Sequence, residues 1–127
     1  MKLCISGRST IVAVALAAVL SSSAALAHHG WSGYHNEEFE LTGTVETAVG
    51  LNNPHGTMRI RAEGQVWNIV MSPPARTKSA GLEQNTIPVG TTVTVQGHRH
   101  RDPKTLEIKT ERVIVDGKVY NVYPDRD

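Results

Sequence analysis

Cysteine is all but missing from this chain, with one among 127 residues, Cys4. A lone cysteine excludes an internal disulfide framework and a thiolate cage for zinc. Aromatic residues reach only 5% and are scattered, so nothing resembles the stacking platform that holds single-stranded nucleic acid. An excess of one charge is lacking as well. The 13 Lys and Arg face 12 Asp and Glu, and no general attraction to nucleic acid or to an anionic membrane follows. No apolar run is long enough to cross a bilayer, since Ile11 to Leu20 covers about half of the roughly 20 residues such a helix needs. Nucleophile elbow, HExxH, phosphate loop and dinucleotide fingerprint are all absent, and the chain reads as a non-enzyme. Its length fits one small domain, with or without a targeting segment.

What is present begins at the N-terminus. Lys2 and Arg8 form a positive region, Ile11 to Leu20 an apolar one, and Ala25-Leu26-Ala27 supplies the small residues that signal peptidase requires. Residues 1–27 are therefore expected to be a cleaved export signal, leaving a periplasmic protein with no stable membrane insertion. A retained anchor is the competing reading, which the short run ending in Ser21-Ser22-Ser23 disfavours. Cys4 precedes the apolar run, so it is not an acylated lipoprotein cysteine, and it leaves with the signal. Without Lys2 and Arg8 the balance turns slightly acidic, while all six histidines remain. The expected plan is a His-rich arm over 28–38 and a barrel domain over 39–127.

Phe39, Leu41, Gly43, Val45, Thr47 and Val49 recur at every second position, with Glu40, Thr42, Thr44 and Glu46 opposite, the period of a strand. Gly50 to Gly56 reads as loop from its Asn, Pro and Gly content. Met58 to Ala62 alternates again, Glu63-Gly64 is turn-like, and Val66 to Met71 puts Trp67, Ile69 and Met71 on one face, which predicts a hairpin. In Ser72 to Gly81, Ser72 can cap, Pro73 suits the first turn and Gly81 can end a helix of about two turns. Thr91 to His98 is a fourth strand with Val93 and Val95 inward, and Arg99 to Lys104 a loop. A fifth strand runs from Thr105 to Val115, with Leu106 and Ile108 inward and a shift in register before Val113 and Val115. Asp116-Gly117 turns into a short last strand within Lys118 to Tyr123. Three strands, a short helix and two strands match an all-β, OB-like five-stranded barrel, which closes a small sheet and removes most exposed edges. An open β-sandwich is the alternative.

Cleavage after Ala27 would make His28 the amino terminus, where α-amine and ring nitrogen can chelate one ion. The α-amine, with a pKa of about 8, yields its proton to Cu(II) at neutral pH, and a second imidazole completes three nitrogens in a plane, as Cu(II) prefers. His29 and His35 are nearby donors. His55 follows Pro54 in the loop between the first two strands. His98 and His100, two apart, project from one strand face towards the loop before the fifth strand. Both loops lie on the ligand side of an OB barrel, so these imidazoles converge if the arm folds over that end. Copper is the first cofactor expected and zinc the second. Plainer roles compete: a disordered terminus, a structural loop imidazole at His55, and polar residues on an exposed strand face at His98 and His100.

His98-Arg99-His100-Arg101 and Lys104, with Arg59 and Arg61, form a basic cluster that could hold an anion. The competing reading is a solvated loop neutralised by Asp102 and Glu107. Trp67 reads as core, whereas Trp31 and Tyr34 read as packing that pins the arm to the barrel.

Ala27-His28-His29, Leu41-Thr42-Gly43-Thr44-Val45, Asn53-Pro54-His55, Trp67, Ser72-Pro73 and Val93-Thr94-Val95-Gln96-Gly97 together resemble the family of small exported bacterial proteins classed as domain of unknown function 6152. The resemblance implies a periplasmic OB-like barrel and no established activity. His28, His29 and His55 fall on its motif positions, whereas His98 and His100 stand where relatives carry other residues. Two functions are thus expected in competition. One is carriage or sensing of a metal ion through the N-terminal histidines and His55. The other is a metal-free module whose loops hold a small anion, a glycan or an exported protein partner.

Overall fold

The structure, a computed structural model, describes residues 30–126; the expected signal peptide, Cys4, His28 and His29 lie outside the described residues. Six strands and one short helix follow in the order β1 (Phe39–Gly50), β2 (Thr57–Ala62), β3 (Gln65–Val70), α1 (Pro74–Ser79), β4 (Thr92–Arg99), β5 (Glu107–Val115) and β6 (Lys118–Asn121). β1 pairs antiparallel with both β2 and β4, β2 with β3, and β4 with β5. β3 then closes onto β5 in parallel, with Asn68 opposite Glu107 and Val70 opposite Lys109. That last pairing turns the sheet into a closed five-stranded mixed barrel with one helix between β3 and β4, the OB-like architecture predicted from the element order, and excludes the open sandwich. β6 pairs with β5 as a terminal hairpin, turning through positive φ at Asp116 and Gly117.

Alternation fills the interior. Val45, Ile60, Trp67, Ile69, Val93, Val95, Ile108 and Val113 are all buried, each contributing about 1.5–3 kcal/mol of transfer free energy if it is large and fully covered. Phe39 stacks on Trp67 at 5.8 Å, and the Arg99 guanidinium closes over Trp67 at 5.0 Å. Thr47 departs from the predicted inward face, because register shifts on either side of it turn it out to solvent.

Ser72 does not cap the helix. Pro73 holds the cap position without a side-chain bond, and Pro74 opens α1. Ser72 is instead fully buried, its Oγ 2.9 Å from Thr77 Oγ1, and its carbonyl accepts from Thr77 Oγ1 and from the Gly56 amide. This ties the start of α1 to the β1–β2 loop and so fixes the position of His55. Gly81 ends the segment as expected, at φ +102°.

The predicted register shift in β5 has a clear origin. Gln96 pairs with Arg112 and Gly97 with Thr110, which leaves Glu111 as an extra residue in a bulge. A bulge bends its strand and re-aims one side chain. Here it sinks Glu111 to 5% exposure beneath the N-terminal strap and the C-terminal tail.

Candidate functional site

Residues 30–38 form a strap across the end of β4 and the β4–β5 loop. The His35 amide donates to the Arg99 carbonyl at 2.8 Å, the Arg101 amide to Gly33 at 2.9 Å, and Arg101 Nε to the Ser32 carbonyl at 3.2 Å. Trp31 meets His98 and Tyr123 edge-on at 5.6 and 5.1 Å, and the Arg126 guanidinium lies 3.9 Å over its ring. Tyr34 packs edge-on against His100 and donates its hydroxyl to Glu107, whose second oxygen accepts from Asn68 Nδ2. Trp31 and Tyr34 thus pin the arm to the barrel. Burial and the neighbouring Glu107 push the Tyr34 phenol well up, and burial raises that of Tyr123 against the pull of Arg76 and Arg126.

His98 is buried rather than exposed, at 8%. Its Nδ1 bonds the His35 carbonyl and its Nε2 bonds Glu111 Oε1, both at 2.9 Å. Both ring nitrogens thus face an oxygen, one of the strap backbone and one of a β5 carboxylate. Glu111 also accepts from Arg126 Nε at 3.1 Å and lies 3.7 Å from Arg112 Nη1. Arg112 in turn donates to the Arg126 carbonyl, so one buried carboxylate gathers strap, β4 and tail.

The remaining basic cluster disperses. Arg99 turns to the barrel mouth, and His100 Nδ1 accepts from the Asp102 amide at 3.1 Å. Arg61 pairs with Glu46. Among the described residues Asp102 forms no ion pair with the cluster; it accepts the Lys104 amide within its own loop, while Glu107 accepts from Tyr34 and Asn68. His98 and His100, expected on one face, therefore have separate partners. His35 keeps an exposed ring. Among the described residues no group of three or more His, Cys, Asp or Glu is placed to hold a metal ion.

His55 stands elsewhere, on the β1–β2 loop, with its Nδ1 buried and without a hydrogen-bond partner. Burial, with the positive charge of Lys109, holds its pKa below the usual histidine value. Lys109 is itself 4% exposed, its Nζ 5.3 Å from the Trp31 ring centre and 5.8 Å from that of Tyr123. Burial lowers its pKa as well. The strap therefore reaches Lys109 on β5 through Trp31.

Between strap, β4 and tail lies a groove. One half, of about 510 Å³, is lined by Trp31, Ser32, His35, Asn36, His98, Arg101 and Arg126, with no carboxylate among the described residues lining it. The other, of about 450 Å³, adds Glu38, Glu111 and Asp125. Arg101 and Arg126 are each anchored through Nε, so the Nη groups that carry the bidentate edge stay available. Sequence reasoning singled out His35, His98 and Arg101 but missed Glu111, Arg126 and Lys109. The register shift before Val113 was the one signal able to find Glu111.

Fold and groove define a small OB-like barrel with a strap across one end. The chain belongs to a family of unknown function, DUF6152, whose model matches residues 15–109. No curated protein matches it. Among solved structures it is similar to apo TiaS, a tRNAIle2 agmatidine synthetase, with TM-score 0.48 and 16% identity over 62% of this chain and 18% of that one. It is also similar to the ZRD-deleted mutant of TiaS in complex with agmatine, with TM-score 0.49 and 17% identity over 68% and 26%. The chain spans about a fifth to a quarter of those structures' length, and a likeness of this degree carries no argument about activity.

Proposed function

We propose that this protein is a non-catalytic, periplasmic binding module that holds a small oxyanion in the groove between strap and barrel. One observation carries the reading: a groove half lined by Arg101, Arg126, His35 and His98 with no carboxylate. Guanidinium edges suit phosphate or carboxylate bidentately, and Asn36 adds a neutral donor. Isothermal titration with inorganic phosphate is expected to give one site. Arg101→Ala is expected to weaken binding about tenfold, the scale of one charge-assisted hydrogen bond, and Arg101→Lys to restore only part of it. Equal affinity in wild type and Arg101→Ala would overturn the reading.

A second reading keeps the metal ion, Cu(II) before Zn(II), on His28, His29 and His55. The unpartnered Nδ1 of His55 favours it. It stands second because the ammonium of Lys109 beside His55 raises the cost of placing a cation there. Adding one alanine ahead of His28 in the processed chain is expected, on this reading, to weaken Cu(II) binding at least about tenfold by breaking the amine–imidazole chelate. Unchanged affinity would remove it.

A further inference from the structure

The groove carries one unmatched charge of each sign. In the half without carboxylates, Arg101 donates from Nε to the Ser32 carbonyl and joins no ion pair among the described residues. In the other half, Glu38, Glu111 and Asp125 face Arg126. Arg112 reaches in beside them, 3.3 Å from Glu38 Oε1 and 3.7 Å from Glu111 Oε2, while Arg126 holds Glu111 at 3.1 Å. Two guanidiniums thus serve two carboxylates. The third carboxylate, Asp125, is exposed and has neither an ion pair nor a hydrogen bond among the described residues. The halves share Asn36, His98 and Arg126, so Arg101 and Asp125 line one continuous space without pairing across it.

We infer that the groove takes a small zwitterion, with its oxyanion at Arg101 and Arg126 and a primary ammonium at Asp125 and Glu38. This rests on the groove reading proposed above and names the class of molecule that fits it.

Size points the same way. The halves measure about 510 and about 450 Å³, within the roughly 300–1,000 Å³ of pockets that hold whole small molecules, and inorganic phosphate fills only a corner of either. What extends the oxyanion is then decided by charge. A second acid would meet Asp125 and Glu38 as like charges, whereas an ammonium meets them as complements. A primary ammonium suits these carboxylates better than a quaternary one. It brings N–H donors for their oxygens, and no Trp, Tyr or Phe lines the acidic half to face a bare cation.

The test is calorimetric titration of the processed protein with inorganic phosphate, ethyl phosphate, O-phosphoethanolamine and phosphocholine. Mildly alkaline pH keeps the esters dianionic and the primary amine protonated. O-phosphoethanolamine is expected to bind about fivefold more tightly than ethyl phosphate, the scale of one solvent-accessible ion pair. Phosphocholine is expected to show no such gain. Asp125→Asn alters an exposed, unpaired side chain and is expected to fold and to bring the Kd values of O-phosphoethanolamine and ethyl phosphate together. Glu38→Gln is expected to narrow the gap in part. Equal wild-type affinities for those two esters, a gain shared by phosphocholine, or a preference that survives Asp125→Asn would overturn the zwitterion while leaving the oxyanion groove standing. Failure of all four ligands to bind would overturn the groove reading itself, and this inference with it. The wild-type comparison decides alone should Asp125→Asn fail to fold.

Discussion

Replacing Glu111 by alanine is expected to cost about 3 kcal/mol of stability and to release the N-terminal strap. The carboxylate is 6% exposed and its His98 partner 11%, so the variant leaves a buried imidazole ring with one of its two oxygen partners gone. That loss dominates. The bridge to Arg126, 41% exposed, adds little on its own, since solvent screens it. Its geometric role is larger: without Glu111 the guanidinium loses the anchor that holds it over Trp31, 3.9 Å away. Urea unfolding measures the cost, and amide exchange over 31–35 measures the release. A double-mutant cycle with His98→Gln should show strong coupling, because both changes remove the same bond. Additive costs, or an unchanged exchange rate in the strap, would show that Glu111 does not organise this end of the barrel.

Gly97→Ala is expected to be at least as damaging, at about 4 kcal/mol or more, against a total of about 5–15 kcal/mol for a domain of this kind. A Cβ at position 97 would lie 2.1 Å from the Lys109 carbonyl oxygen and 2.8 Å from the Thr110 Cα. Both obstacles are backbone, so neither can swing aside, and the clash is relieved only by spreading β4 from β5 at the bulge. Glu111 and Lys109 would move with that strand, and the groove should fail together with the fold. Gly30→Ala is the matched control, since nothing lies within 4 Å of its added methyl; its effect is expected to stay within about 0.5 kcal/mol. Chemical denaturation of the two variants side by side separates close approach from a general effect of losing glycine.

The barrel was legible because a five-stranded sheet with one solvated face writes itself as period two, and because the helix falls in the third gap. Even the bulge left a trace: the inward set in β5 passes from Ile108, an even position, to Val113, an odd one, which a regular strand cannot do. The site was less legible, for a physical reason. His98 finds its partners at His35, 63 residues away, and at Glu111, 13 away, and no local pattern encodes such distances. Lys109 reads as solvent-facing on any strand, and it is buried only because strap and tail fold over the outer face of the barrel. Ser72 looked like a helix cap because its residue type fits one; the buried hydrogen bonds to Thr77 and Gly56 claim it instead.

The most direct measurement of the central claim is a phosphate titration followed by NMR of the arginine side-chain N–H groups in the processed protein. The groove reading expects Arg101 and Arg126 to shift together and saturably, with Arg112 and Arg61, which line neither half of the groove, moving little. A uniform drift of all four signals, or a shift confined to arginines outside the groove, would contradict it.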